Sequence, residues 1–226
     1  MDLTRNKKKT RKLISNLPAN SLISEQYRTI RTNIQFSSPD IDIRSIMISS
    51  SSPEEGKSTT AANLAIVFAQ QGKKVLLIDT DLRKPTVHYS FNRINVVGVT
   101  NILVNRLPLN EAIEPTDFEN LYVLTSGPIP PNPSELLASE AMKQLMNVLY
   151  REYELLIFDT PPLLAVTDAQ ILANLCDASI LVISSGKTEF NEVKKSKGLL
   201  ESASSKFLGV VLNNRKMKKH SSYYAY

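Results

Sequence analysis

Short apolar runs recur along the chain, separated by longer stretches whose apolar residues return every three or four positions. Residues 46–48 (Ile-Met-Ile), 74–79 (Lys-Val-Leu-Leu-Ile-Asp), 121–124, 155–159, 178–184 and 207–212 are near-continuous apolar runs. That is the pattern of strands covered on both faces of a parallel sheet. Residues 21–37 carry Leu22, Ile23, Tyr27, Ile30 and Ile34 at helical spacing, with Ser24 and Glu25 suited to a first turn. From Ala61 the apolar pattern predicts one helix to Gln71, ended by Gly72. A long polar connection runs from the second strand through Arg93, and residues 98–125 give short helical pieces before the next strand. Pro128, Pro130, Pro131 and Pro133 force an extended loop, after which Ser134 is expected to cap a single amphipathic helix, ELLASEAMKQLMNVLYREY. Further helices are expected over 167–175 and 189–204. Alternating strands and helices predict an α/β fold with a doubly wound, mostly parallel sheet flanked by helices, and ligands at the carboxyl ends of the strands. The polar residues 1–20 read as a basic flexible arm, 21–214 as one domain, and the unperiodic 215–226 as a disordered, tyrosine-rich tail.

The chemistry starts where the first strand breaks. RSIMISSSSPEEGKSTT places small and turn-forming residues, Ser49 to Glu55, between an apolar run and Gly56-Lys57-Ser58-Thr59, which opens a helix. Strand, tight loop, Gly-Lys-Ser and helix form a phosphate cradle. Loop N–H groups face the phosphates, Lys57 can reach β and γ oxygens, and the Ser58 hydroxyl can hold Mg²⁺. Gly-Lys-Ser alone is common in surface turns; the strand before it and the helix after it give it meaning. The match is a variant, because Ser51 stands where the first glycine of the motif belongs.

Two other apolar strands end in aspartate: VLLIDTDLR puts Asp79 and Asp81 at one tip, and LLIFDTPP puts Asp159 at another. In a parallel sheet these tips share an edge with the phosphate loop. A carboxylate there can hold Mg²⁺ directly or through water, and phosphoryl transfer depends mostly on positioning and charge neutralisation. One such aspartate would equally be a turn former; three beside a Gly-Lys-Ser loop point to metal and phosphate. Arg83 and Lys84 follow at once, suited either to neutralising a transferred group or to pairing with the acids nearby. No Ser-His-Asp or Cys-His arrangement is apparent, His88 and His220 read as surface residues, and zinc is not indicated.

Composition narrows the setting. At 226 residues with a 42% apolar share, the chain is long enough for one domain with a normal core. No run approaches the length of a membrane span, and the charged start is not followed by the apolar stretch of a secretory signal. The one cysteine, Cys176, excludes an internal disulfide and reads as a buried thiol in a reducing cytoplasm. The net charge of +5 gathers at the ends, in Arg5, Lys7, Lys8, Lys9, Arg11 and Lys12 and in Arg215, Lys216, Lys218 and Lys219. Such ends are solvated tails or touch anionic lipid or an acidic partner. No module for reading RNA or DNA is visible, so no nucleic acid is expected.

With these residues in view, residues 15–226 resemble the bacterial tyrosine kinases, and among them the cytoplasmic kinase chain of Gram-positive capsular-polysaccharide systems. The resemblance rests on SSSPEEGKST, on LLIDTDLR (an apolar run, then DxDxR), on LLIFDTPP and GPIPPNPSELL, and on the terminal Tyr223-Tyr224-Ala225-Tyr226. It implies a P-loop NTPase-like fold that uses ATP and Mg²⁺. Ser52, Glu55, Gly56, Lys57, Ser58 and Thr59 would line the ATP site, with Asn213 or Asn214 against adenine. Ser58, Asp79 and Asp159 would serve the metal, and Lys57, Asp79, Asp81, Arg83 and Asp159 would form the catalytic set, with Asp81 as general base for the tyrosine hydroxyl. Tyr223, Tyr224 and Tyr226 would be the autophosphorylation sites.

The resemblance also implies partners. Glu25, Arg28 and Arg31 match the family's ExxRxxR pattern, which joins neighbouring subunits in a ring such as an octamer, each tail entering the next site; within one chain the same spacing gives only local salt pairing. Roughly thirteen residues after Asn213 span at most about 40 Å, enough to cross a subunit boundary. A transmembrane adaptor, docked near Ile41 to Ile43 or the neighbouring surface, would activate the kinase and hold it at the inner face of the membrane. A cognate tyrosine phosphatase and other polysaccharide-synthesis enzymes as substrates complete the set. The alternative class is a Walker-type ATPase switch that positions cargo on membrane or DNA; the partition ATPases of that class carry a lysine where this chain has Ser52, which argues against it.

Overall fold

The computed structural model describes Leu13, Ile14, Pro18 and residues 21–37, 42–105 and 107–216. The rest of the basic arm, Ile41 and the tail tyrosines Tyr223, Tyr224 and Tyr226 lie outside the described residues. In chain order the elements are α1 (Leu22–Phe36), β1 (Ser45–Ser50), α2 (Lys57–Ala69), β2 (Val75–Asp79), α3 (Val87–Ser90), α4 (Val99–Asn105), α5 (Leu109–Ala112), β3 (Ile113–Pro115), β4 (Leu121–Leu124), α6 (Pro133–Leu137), α7 (Glu140–Glu152), β5 (Leu155–Asp159), α8 (Asp168–Ala173), β6 (Ala178–Ser184), α9 (Phe190–Glu201) and β7 (Lys206–Asn213).

The strands form one sheet in the order β3-β4-β2-β5-β1-β6-β7. Every neighbouring pair is parallel except β3 with β4. Strand side chains alternate between two cores, as the period of two requires. Ile46 and Ile48 of β1, Leu77 of β2 and Ile157 of β5 meet α2 on one face. Met47, Leu76, Ile78, Leu156 and Phe158 turn to the other, under the helices after β2. The doubly wound reading therefore holds. Helix α2 is buried around its whole circumference, because α1 packs on its outer side as a further layer. Leu13 and Ile14 join that layer, and the Ile14 N–H donates to Asn63 Oδ1 of α2 at 2.9 Å. Part of the stretch read as an arm is thus packed.

Two elements differ from the sequence expectation. The single helix expected after Ser134 is two: α6 stops at Leu137, and Ser139 caps α7 by accepting from Met142 N–H at 3.3 Å. Ser134 is no cap; its hydroxyl serves the Asp168 carboxylate instead. The short antiparallel edge strand β3 was not foreseen, because three residues, one of them proline, leave no alternation to read.

Candidate active site

The carboxyl edge of the sheet collects the site. Strand β1 delivers Ser50, and the chain then turns through Glu54 (φ 63°) and Gly56 (φ +100°) before α2 begins at Lys57. Glycine suits position 56 for two reasons: the left-handed backbone favours it, and a Cβ there would lie 2.0 Å from Asn213 Nδ2, so that amide would have to move. Ser51 fits where the motif has glycine because it is not among the described residues with positive φ; Glu54 carries that conformation instead.

The loop is gripped from one side. Asn213 Nδ2, at the end of β7, donates to Glu55 O at 2.9 Å. The buried Glu55 carboxylate accepts from the Ser52 N–H at 3.0 Å and from the Thr188 hydroxyl. Ser52 Oγ donates to Glu192 Oε1 at 3.2 Å, and Lys187 Nζ to Pro53 O at 3.2 Å. Ser52, Glu55 and Asn213, read as ATP-site residues, thus shape the loop from within this chain. Asn214 turns to Ser184 Oγ at 3.0 Å. Thr59 sits half-buried in the first turn of α2.

On the other side lie the acids. The β2–β5 register sets Asp79 beside Asp159, both fully buried. Lys57 Nζ donates to Asp81 Oδ2 at 2.8 Å, Ser58 Oγ at 3.2 Å and Asp159 Oδ1 at 3.4 Å. Burial works against the Lys57 ammonium, but Asp159 and Asp81 outweigh it and raise its pKa. Burial raises the Asp79 carboxyl, and the neighbouring Asp159 raises it further, against the N–H groups of Val87 and Thr86. Five of the residues read as catalytic or metal-binding, Lys57, Ser58, Asp79, Asp81 and Asp159, therefore converge in one buried cluster.

Arg83 points elsewhere. Its Nε donates to Asp168 Oδ2 at 2.9 Å and its Nη2 to Asp168 Oδ1 at 3.1 Å and Ser134 Oγ at 3.0 Å. Of the two uses read for it, pairing with a nearby acid is the one the side chain makes. Arg28 pairs with Glu25 on the surface of α1, while Arg31 Nη1 donates to Val67 O near the end of α2 at 2.9 Å. Sequence reasoning missed Thr86, Asp168 and Thr188, because lone hydroxyls in loops and an aspartate at a helix start carry no motif, and it read Ser134 only as a helix cap.

The donor set is oxygen throughout: the Ser58 hydroxyl and the Asp79 and Asp159 carboxylates. Among the described residues no group of three or more His, Cys, Asp or Glu forms a cage for a metal. The oxygen donors fit Mg²⁺, which takes one or two carboxylates and completes its shell with water and substrate phosphate.

A glycine-bent loop between a buried strand and a buried helix, with strand-end acids around its lysine, defines a P-loop nucleotide-binding domain. The model of the AAA domain family matches residues 43–195. Tyrosine-protein kinase YwqD of Bacillus subtilis (strain 168) is 57% identical over 213 residues, covering 94% of this chain and 90% of the relative. The chimerical protein CapA2B2 superposes with a TM-score of 0.87 at 47% identity, over 91% of this chain and 90% of that one. The kinase domain of the Escherichia coli tyrosine kinase ETK gives a TM-score of 0.87 at 33% identity, over 99% of this chain and 88% of that one. The chain belongs to the bacterial tyrosine-protein kinase family.

Proposed function

We propose that the chain is an ATP-dependent protein-tyrosine autokinase that phosphorylates Tyr223, Tyr224 and Tyr226, in trans within a ring oligomer, and so regulates the synthesis and export of a capsular or extracellular polysaccharide. The observation that carries this is the Lys57 ammonium held 2.8 Å from Asp81 at the mouth of the phosphate loop. It sets a phosphate-binding cation and a candidate proton acceptor side by side. The loop N–H groups and Lys57 bind the phosphates, and Ser58, Asp79 and Asp159 hold Mg²⁺. When bound there, Mg²⁺ would supply charge neutralisation for the phosphates. Asp81 accepts the proton of the incoming phenol, whose pKa near 10 calls for a base at neutral pH. Arg83, paired with Asp168 and two-fifths exposed, keeps the DxDxR segment in place and completes the catalytic set.

Residues 21–214 act as the kinase domain, the face of α1 bearing Glu25 and Arg28 as the oligomerisation surface, and 215–226 as the tail. Each phosphotyrosine adds close to two negative charges to a lysine-rich segment, which favours release of the tail and loosening of the ring. A transmembrane adaptor activates the kinase from the inner face of the membrane, and a cognate phosphatase reverses the modification. Among the described residues no helix is long and apolar enough to cross a membrane.

The test is to incubate the chain with γ-labelled ATP and the cytoplasmic tail of its adaptor, then map the label. Phosphate on Tyr223, Tyr224 or Tyr226, lost in Lys57→Met and in Asp81→Ala, is expected. ATP hydrolysis without labelled protein would overturn the kinase reading.

A further inference from the structure

Thr86 occupies a position that the motifs do not mark. It follows the DxDxR segment and precedes α3, where a threonine ordinarily folds its hydroxyl back to cap the helix. Here the hydroxyl makes no capping bond. Instead Thr86 Oγ1 donates to Ser58 Oγ at 3.1 Å, reaching from the loop after β2 to the first turn of α2. The backbone of the same residue does the complementary job: the N–H groups of Thr86 and Val87 each donate to Asp79 Oδ2 at 2.9 Å. The Asp81 N–H holds the other oxygen, Oδ1, at 3.2 Å. One residue therefore bonds Asp79 through its main chain and Ser58 through its side chain.

We propose that Thr86 is a positioning residue for the magnesium–nucleotide complex, orienting the Ser58 hydroxyl toward the ion while its backbone fixes the Asp79 carboxylate. This rests on the assignment of Ser58 and Asp79 to Mg²⁺ made above. The physical reason is the chemistry of a neutral hydroxyl ligand. A serine oxygen that ligates a cation must turn a lone pair to the ion and its proton away from it. An unpartnered serine samples three staggered rotamers, and only some present the oxygen correctly. A second hydroxyl 3.1 Å away can accept the Ser58 proton when the Ser58 oxygen faces the ion, since either hydroxyl can donate or accept. Partners of this kind are worth about 10–100-fold in metal affinity where they have been removed. The Lys57 ammonium, also 3.2 Å from Ser58 Oγ, cannot take this part, because it has protons to give and none to accept.

The experiment reads binding rather than turnover. A fluorescent ATP analogue is titrated onto the whole chain, first in EDTA and then with increasing Mg²⁺, for the wild type, Thr86→Val and Thr86→Ser. Valine keeps the β-branched shape and leaves the backbone N–H on Asp79, so melting within about 2 °C of wild type checks the fold. Should valine misfold, Thr86→Ala takes its place. We expect Thr86→Val to raise the Mg²⁺ concentration at half-saturation about tenfold, with unchanged affinity in EDTA. Thr86→Ser should restore the wild-type value to within about twofold. An unchanged Mg²⁺ midpoint in Thr86→Val, or an equal loss in Thr86→Ser, would overturn the role of the hydroxyl while leaving the site assignment standing. A wild-type chain whose nucleotide affinity ignores Mg²⁺ would overturn both.

Discussion

Arg83 holds Asp168 through two hydrogen bonds, Nε to Oδ2 at 2.9 Å and Nη2 to Oδ1 at 3.1 Å. The pair is asymmetric: the carboxylate is completely buried, whereas two-fifths of the arginine side chain meets solvent. Burial alone would raise the Asp168 pKa, but Arg83 and Ser134 outweigh it and hold it low. Removing the cation should therefore cost more than removing the acid, because it strands a buried charge. We expect Arg83→Met to lower stability by about 1–3 kcal/mol, discounted for exposure, and Asp168→Asn by less. Urea denaturation of the two variants measures the difference, and equal losses would refute the asymmetry.

Gly56→Ala tests the loop. The left-handed backbone alone disfavours alanine by about 1–2 kcal/mol, and the new methyl displaces the Asn213 amide from Glu55. Nucleotide affinity should fall at least about tenfold. Asn213→Ala in the same chain removes the collision but not the backbone strain, so affinity should recover only in part. Full recovery in the double variant would show that crowding alone demands glycine.

The charges on α1 divide by their contacts. Arg31 donates to a carbonyl of the phosphate-loop helix, so Arg31→Ala should lower stability by about 1 kcal/mol, or roughly 2–4 °C in melting temperature. Among the described residues the side chains of Glu25 and Arg28 pair with each other across one turn of the helix surface. Glu25→Ala and Arg28→Ala should leave the melting temperature within about 1 °C yet reduce the mass of the assembly in light scattering. A loss of stability in these two with unchanged mass would remove the oligomerisation role from α1.

Alkaline pH probes the opposite edge of the sheet. The Tyr150 hydroxyl donates to Ser45 Oγ at 2.8 Å, and burial pushes its phenol up to about 12; burial does the same to Tyr153. A folded-state pKa above the unfolded value stabilises fully below the unfolded pKa, near 10, and that contribution is lost as pH rises through about 12. Ultraviolet titration should show two phenols ionising late. Tyr150→Phe should remove one of them and destabilise the protein at neutral pH by about 1 kcal/mol. Both phenols titrating near pH 10 would contradict the buried environment.

Much of this architecture is legible in the sequence because buried parallel strands announce themselves. The apolar runs ending at Ile48, Asp79 and Asp159 mark three strands and, through their tips, the site; the first strand runs two residues further, to Ser50. What resists reading is whatever depends on a partner distant in sequence. Ser134 looks like a helix cap until Asp168 is placed 2.6 Å from its hydroxyl. Thr86 looks like a loop threonine until Ser58 faces it. The break between α6 and α7 is equally hidden, since Ala138 and Ser139 fit a helix interior as well as a junction. Arg31 matches an intermolecular motif while its side chain serves α2 of its own chain.

The clasp between Asn213 and Glu55 joins positions 158 residues apart, the last strand to the first loop. During synthesis the phosphate loop emerges long before the residue that closes it. A nascent chain truncated before β7 can pair the inner strands but lacks the amide that braces Glu55. The bracing of Glu55 from β7 is thereby tied to completion of the sheet.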